Sequence, residues 1–95
     1  MKGYLILDLS INDSGRFKEY IDKIPEYIEK HGGRYIVQGS QPEIMEGDWS
    51  PERVVVLEFP STSKAKEFLE DPDAQGLFSI RHNATTSKLI LAEGC

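Results

Sequence analysis

The side chains that could do chemistry in this 95-residue sequence are mostly charged, and two of them are carboxylates beside apolar runs. Asp8 follows such a run near the N-terminus, and Glu58 lies within VVVLEFP at residues 54–60. Two neighbouring carboxylates raise the pKa of one of them, which suits a general acid or base. Two carboxylates that each face a cation would instead form ion pairs at the rim of an interface. Arg34 and Lys88 are the candidate cations, and they favour the ion-pair interpretation.

A second polar group, Arg81-His82-Asn83, lies at the end of a predicted helical segment. Arg81 follows Leu77 by four residues, so it should lean toward the core side of that helix. There it could contact an anion or a carbonyl group of a ligand, with His82 as a proton carrier. The alternative is a charged helix end that complements the helix dipole, and that interpretation also fits His31.

The remaining polar candidates each have a structural alternative. Trp49 lies in a connector rich in glycine and proline, where it could wall a pocket, anchor a dimer or pack against the loop. Arg53 could bind an anion or pair with a surface acid. Ser61 could offer its hydroxyl to a ligand, but its position before a helix favours capping. The candidate binding residues are therefore Arg34, Trp49, Arg53, Glu58, Ser61 and Arg81.

No reaction can be assigned from motifs. The two histidines and the single cysteine, Cys95, lack the spacing of metal ligands. No glycine-rich loop follows a strand in phosphate-binding form, and no nucleophile is followed by a recognisable base and orienting group. We therefore expect no metal and no cofactor, and no residue is assigned a catalytic role.

Composition limits the partners and the compartment. A formal net charge of −5 argues against a nucleic-acid binder and against an anionic membrane surface. One cysteine cannot form an internal disulfide, which is typical of a reducing compartment. The N-terminal apolar run is shorter than a signal peptide or a membrane span requires. We expect a cytoplasmic protein with one domain over residues 1–95.

The elements that must position these residues alternate in a recognisable order. Strand-forming runs lie at residues 4–9, 34–38, 53–59 and 87–92. An amphipathic helix follows the first run, and a helical region broken at 71–73 precedes the last. The order β-α-β-β-α-β predicts an α+β, ferredoxin-like fold, with a four-stranded antiparallel sheet in the order 4-1-3-2 and the helices on one face. Residues 43–46 could extend the central hairpin.

Period-two alternation divides the strands into two faces. One face is wholly apolar and should lie under the helices; it contains Leu5, Leu7, Leu9, Tyr35, Val37, Val55, Leu57, Phe59, Leu89 and Leu91. The other has an apolar centre and charged ends; its predicted interface residues are Tyr4, Ile6, Asp8, Ile36, Val54, Val56 and Ile90, with Gln38 on the same face. An exposed apolar patch of this kind usually marks an interface. We therefore predict a twofold homodimer in which two sheets pack face to face.

The charged ends of the second face yield one further prediction. If the first and third strands are parallel neighbours, Asp8 and Glu58 fall at the same end of the sheet. The edge strands would then bring one cation to each carboxylate. The predicted result is a single four-charge cluster of Asp8, Lys88, Glu58 and Arg34.

The motifs together resemble a known family. In order they are GGRYIVQG at 32–39, EGDW at 46–49, PERVVVLEFPS at 51–61 and EG at 93–94. Further matches are Tyr20, Ala65, Phe68, Pro72, Arg81 and Ser87. The sequence is similar over essentially its whole length to the small bacterial domain of unknown function 1330. The resemblance implies a dimeric α/β-barrel of the ferredoxin-like group, in which two sheets close against one another.

The resemblance implies no assigned activity. Related dimeric α/β-barrels include cofactor-free monooxygenases, haem-degrading enzymes, isomerases and stress-induced proteins, and they often place a small-molecule pocket between helices and sheet. Haem-degrading relatives use asparagine, tryptophan and histidine, which Asn83, Trp49 and His82 match in type but not in position. The family commonly has tyrosine where this chain has Ala74, so chemistry resting on that hydroxyl is not carried over.

Two functional hypotheses follow. The first is a small homodimeric protein with a small-molecule pocket, of which a cofactor-independent enzyme is one form. The second is a non-catalytic dimeric module whose polar residues only fix assembly. A cavity beside Trp49, Glu58 or Arg81 is required by the first hypothesis and not by the second.

Overall fold

The computed structural model describes residues 1–95 and contains four strands and three α-helices. In chain order the elements are β1 (Gly3–Ile11), α1 (Ser14–Lys30), β2 (Arg34–Ser40), β3 (Arg53–Phe59), α2 (Thr62–Glu70), α3 (Gln75–Ala84) and β4 (Thr85–Glu93). A 3₁₀ turn over Pro72–Ala74 joins α2 to α3. None of the helices combines the length and apolar character needed to cross a bilayer.

All neighbouring strands of the sheet are antiparallel, and their order is β2-β3-β1-β4. This is the predicted order 4-1-3-2 counted from the other edge. The buried strand residues and the buried helix residues form one core cluster. The helices therefore cover one face of the sheet. The predicted ferredoxin-like fold is confirmed. We refer to the uncovered side of the sheet as the outer face.

The predicted four-charge cluster is wrong, because β1 and β3 are antiparallel. Glu58 lies opposite Tyr4, whereas Asp8 lies opposite Val54. Four residues of extended chain therefore separate the two carboxylates along the sheet, a distance of about 13 Å. The physical reason is the connectivity: the crossover through α1 makes β1 and β2 parallel, and the return into β3 reverses the direction.

Two irregularities in β2 change which of its side chains face the helices. The register with β3 shifts between Tyr35 and Val37 and again between Gln38 and Ser40. An extra residue in one strand shifts the alternation of the side chains that follow it. Val37 therefore lies opposite Val56 on the outer face, and Gln38 lies opposite Val55 on the helix side. The predictions for Val37 and Gln38 were wrong for this reason, and residues 43–46 form no strand.

The helix ends follow the capping residues in the sequence. Asp13 accepts a hydrogen bond from the Arg16 backbone N–H at 3.1 Å, and Ser61 accepts one from the Lys64 N–H at 3.1 Å. Gly32 follows α1 with φ +77°, a left-handed conformation that glycine adopts without a Cβ penalty. The sharp end of α1 turns the chain directly into β2.

The core lies between the helices and the sheet. Its largest fully buried side chains are Phe59, Phe68, Leu5, Leu9 and Ile24. Phe68 is central, since its ring centroid lies 5.3 Å from those of both Phe59 and Phe78. These contacts attach α2 to the sheet and to α3 at once.

A buried carboxylate ties the end of α1 to the junction of α2 and α3. Asp71 is only 5% exposed, and its Oδ2 accepts hydrogen bonds from Lys30 Nζ and His31 Nε2, each at 2.8 Å. Its Oδ1 accepts the Asp73 backbone N–H at 2.9 Å. The bonds from Lys30, then from His31 and Asp73, hold the pKa of the Asp71 carboxyl well below its usual range. This carboxylate therefore stabilises the fold in its ionised form.

We predict that Asp71→Asn lowers the melting temperature at pH 7 by roughly 5–10 °C, because Lys30 and His31 lose a buried acceptor. A carboxyl with a depressed folded pKa contributes stability that is fully present above its unfolded pKa. That contribution is lost as the pH falls below about 4 toward the folded value. The difference between wild type and variant should therefore be present at pH 7 and narrow at pH 3, as followed by circular dichroism melts.

Asp73→Asn is the matched control, since the Asp73 side chain is 74% exposed and lies 3.9 Å from Lys30. It should change the melting temperature by no more than about 2 °C. Equal melting of wild type and Asp71→Asn at pH 7 would contradict the role given to Asp71.

Candidate functional site

A cavity of about 180 Å³ lies between α1, α2, α3 and the covered face of the sheet. Of the 18 residues that line it, 14 are hydrophobic, so its interior favours an apolar molecule. A cavity of about 150 Å³ with similar apolar walls is known to bind a benzene molecule. The volume therefore suits a molecule of one ring or a short branched chain. The polar side chains in its wall are Tyr20, Tyr35, Gln38, Arg53 and Arg81.

The cavity reaches the surface between α1 and one end of β2 and β3. The exposed lining residues Ile21, Gln38 and Arg53 mark this mouth. Arg53 Nη1 donates to the Gly39 carbonyl oxygen at 3.2 Å. Gly39 has φ +81° and lies at the second irregularity of β2. The distortion of β2 therefore shapes the entrance and brings Gln38 to it.

Arg81 is a buried cation in the cavity wall, with 6% of its surface exposed. Its Nη1 donates to the Tyr20 hydroxyl at 3.5 Å and its Nη2 to His82 Nε2 at 3.2 Å, while Nε has no partner. The guanidinium also lies over the rings of Phe78 at 5.4 Å and Tyr20 at 5.8 Å. No ion pair in the structure includes Arg81. No acidic side chain therefore neutralises this buried charge.

The position of Arg81 follows from the helix that carries it. Leu77 precedes it by one turn, and both side chains are buried on the same side of α3. Arg81 lies in the last turn of α3, where a cation complements the helix dipole. The Thr85 hydroxyl donates to the Arg81 carbonyl oxygen at 2.7 Å and ends the helix there. The expectation that Arg81 leans toward the core is confirmed.

Two tyrosines add hydroxyl groups to the wall. Burial raises the pKa of Tyr20, although Arg81 acts in the opposite direction. Burial, and then the charge repulsion from Tyr20, raises the pKa of Tyr35 to about 12. Both hydroxyls are therefore neutral near pH 7 and available as hydrogen-bond donors.

The cavity wall contains no carboxylate, histidine, cysteine, lysine, serine or threonine side chain. A nucleophile or a general base would have to come from one of these groups at neutral pH. The arrangement can bind a molecule and stabilise negative charge on one of its oxygen atoms. It offers no proton acceptor of its own near that oxygen.

One end of the outer face carries a glutamate whose negative charge is balanced by two cations. Glu58 Oε1 accepts hydrogen bonds from Lys2 Nζ and Arg34 Nε, each at 3.0 Å, and Oε2 accepts one from the Tyr4 hydroxyl at 3.1 Å. The Lys2 bond is the main cause that lowers the pKa of Glu58. The predicted Arg34–Glu58 ion pair is present, and Glu58 stays ionised rather than acting as an acid.

The other end of the outer face carries a second, smaller cavity. Trp49 Nε1 donates to Asp8 Oδ2 at 2.7 Å, which folds the connector between β2 and β3 back over the sheet. A space of about 140 Å³ lies beside this contact, lined by Ile6, Asp8, Trp49, Lys88 and Ile90. Lys88 is opposite Asp8 in the strand register but forms no ion pair with it.

The structure brings only two of the six candidate binding residues into the larger cavity, namely Arg53 and Arg81. Arg34 and Glu58 pair at one end of the outer face, Trp49 lies at the other end, and Ser61 caps α2. No group of three or more His, Cys, Asp or Glu side chains is placed to hold a metal ion.

Sequence reasoning missed three polar residues of the cavity, Tyr20, Tyr35 and Gln38. The two tyrosines belong to apolar stripes, where their hydroxyls give no periodic signal. Gln38 was placed on the opposite face because regular alternation was assumed. The glycine at 39 was the available signal, since glycine inside a strand often marks a bulge.

Solved structures with this fold include proteins of several kinds. A protein of unknown function from Rhodopseudomonas palustris has a TM-score of 0.81 at 19% identity, over 99% of this chain and 82% of its own. SnoaB, a cofactor-independent oxygenase from Streptomyces nogalater, has a TM-score of 0.70 at 12% identity, over 99% of this chain and 93% of its own. A dimeric ferredoxin-like protein of unknown function from Jannaschia sp. CCS1 has a TM-score of 0.71 at 10% identity, over 99% and 100%. At these identities the likeness shows the shared fold alone.

Among functionally curated proteins, none matches this sequence. The family described as "Domain of unknown function (DUF1330)" matches residues 2–95. The match covers every strand and helix, including both walls of the larger cavity. The chain therefore belongs to the DUF1330 family.

Proposed function

We propose that this protein is a homodimer that binds a small, largely apolar molecule between its helices and its sheet. The observation that carries the proposal is the apolar cavity of about 180 Å³ with an open mouth and a few polar groups in its wall. An evolved apolar core is normally packed without voids of this size. An apolar space that reaches the surface is the usual form of a small-molecule site.

Binding is favoured over catalysis because the wall lacks a nucleophile and a base. Enzymatic turnover without a cofactor is the second candidate, and one observation favours it: the Tyr20 hydroxyl and Arg81 lie together, as donors that could stabilise an oxyanion. SnoaB shows that the same fold can host a cofactor-independent oxygenase. The base in such a reaction would have to come from outside the cavity wall.

The dimer part of the proposal is supported by the outer face. No helix covers it, and Ile36 and Ile90 are 43% and 59% exposed in the single chain. Tyr4, Ile6, Val54 and Val56 form a half-buried apolar strip between them. The protein from Jannaschia sp., which has the same fold, is a dimer. The alternative hypothesis, a dimeric module with no ligand, uses the same interface. It differs only in predicting that no ligand occupies the cavity.

We predict that a small neutral probe, benzyl alcohol, binds saturably in the cavity and shifts the amide NMR signals of the residues that line it. Leu89→Phe should weaken this binding by roughly tenfold or more, because the larger ring fills space in the cavity. Leu91→Phe is the matched control: it is the same change, on the same strand and the same face, outside the cavity wall. It should change the affinity by less than about twofold. Absence of saturable shifts in the wild-type protein, or equal losses in both variants, would contradict the proposed site.

We predict that Ile90→Lys converts the dimer into a monomer of 10.7 kDa, because a lysine ammonium would be buried between the two sheets. Folding should be unaffected, since Ile90 is exposed in the single chain. Ile44→Lys is the control, because Ile44 is 55% exposed in the connector and lies off the sheet. Multi-angle light scattering measures both masses. A wild-type mass of one chain, or a dimer that survives Ile90→Lys, would overturn the interface.

A further inference from the structure

We propose that Arg81 binds the carboxylate of the molecule that occupies the larger cavity, so that the ligand class is a small monocarboxylic acid with an apolar body. The inference rests on the proposed binding function and specifies what the site selects. Its basis is a buried guanidinium in the cavity wall that no acidic side chain of the chain neutralises.

Arg81 and Asp71 are the two charged residues that the structure fully buries, and only Asp71 has a counter-charge. Asp71 is matched by Lys30 and His31, and Glu58 is matched by Lys2 and Arg34. Arg81 instead has only the Tyr20 hydroxyl and His82 Nε2 within hydrogen-bond distance. A buried ion without a counter-charge is strongly disfavoured unless a ligand supplies one. The missing partner is therefore an anion.

The donors of Arg81 are incompletely used. Guanidinium has five N–H groups in a planar fork that matches the two oxygen atoms of a carboxylate. Contacts with Tyr20 and His82 leave the Nε–H and one N–H on each terminal nitrogen. Because the Tyr20 oxygen accepts from Arg81, its own O–H is free to donate to the same anion. The site therefore has the donors for bidentate binding and one supporting hydroxyl.

The rest of the wall selects against other charges. No carboxylate lines the cavity, so a cationic ligand would meet Arg81 and Arg53 without compensation. One buried guanidinium neutralises one negative charge, so a dianionic phosphate monoester would bring an uncompensated charge into an apolar space. The formal net charge of the protein is −5, so attraction of an anion depends on this local cation rather than on the overall field. A monoanion fits best.

The apolar body is limited by the available volume. A space of about 180 Å³ accommodates one aromatic ring with a carboxylate, or an aliphatic acid of similar size. Arg81 is deep in the wall, whereas Ile21, Gln38 and Arg53 lie at the mouth. The carboxylate should therefore point inward to Arg81, with the ring against the leucines of β1.

Three probes of similar size test the inference: sodium benzoate, benzyl alcohol and phenyl phosphate, titrated at pH 7 by NMR and isothermal calorimetry. The full-length wild-type protein should bind benzoate at least about tenfold more tightly than either of the others. Arg81→Met keeps an unbranched chain as long as the Arg81 stem up to Nε and removes the guanidinium charge. It should abolish the preference for benzoate while retaining benzyl alcohol binding.

Arg16→Met is the matched control, because it removes an exposed arginine of α1 that lies outside the cavity wall, and it should keep the benzoate preference. Tyr20→Phe, which retains the ring, should weaken benzoate binding by roughly threefold or more and leave benzyl alcohol unchanged. This variant and the wild-type comparison keep the test decisive if Arg81→Met fails to fold.

The outcomes distinguish a failure of the carboxylate site from a failure of the proposed binding function. If benzyl alcohol binds in the cavity as tightly as benzoate, or if Arg81→Met retains the benzoate preference, the carboxylate site is overturned and the proposed binding function stands. If phenyl phosphate binds most tightly, the monoanion assignment is overturned. If none of the probes binds, the inference and the proposed function both fail.

Discussion

The structure depends on an antiparallel sheet that is apolar on both faces but is covered by helices on only one. Alternation along β1 and β3 sends Leu5, Leu7 and Leu57 to the helices, and Ile6 and Val56 to the outer face. The helix-covered face holds the core and the larger cavity. The outer face holds an apolar strip that no helix covers. The proposed ligand binding and the proposed assembly therefore use opposite sides of the same four strands.

The mouth of the cavity is shaped by β2, which departs from a regular strand there. Its two irregularities rotate Gln38 toward α1, and Gly39 takes a conformation that allows the second of them. On the far side, the aromatic contacts of Phe68 and the buried Asp71 cluster hold α3 in place, so that Arg81 is fixed in the wall. In the proposed complex, this buried cation would orient the small acid and the apolar walls would match its shape.

Much of the fold could be predicted from the sequence, because it depends on local patterns. The bounds of β3, the capping by Ser61 and the burial of Arg81 all follow from periodicity and spacing. The wrong predictions concern the direction in which neighbouring strands pair. The cluster of Asp8 with Glu58 assumed a parallel pair of strands, which the order of crossovers forbids.

Other features could not be predicted because they join distant parts of the chain without any periodic signal. Asp71 was predicted only to help end one helical segment and cap the next, although it binds Lys30 and His31 some forty residues away. The Trp49–Asp8 hydrogen bond depends on the path of an irregular connector. The cavity itself is a property of side-chain packing, and a sequence with a well-filled core would show the same apolar pattern.

The central claim is that a small acid is bound inside the chain, with its carboxylate on Arg81. A crystal structure of the protein soaked or grown with sodium benzoate tests it most directly. The account predicts a benzoate ring between α1 and the sheet, with both carboxylate oxygens within hydrogen-bond distance of the Arg81 guanidinium. Benzoate bound only on the outer face would contradict it. So would a structure in which rearranged side chains fill the cavity and Arg81 pairs with an acidic residue.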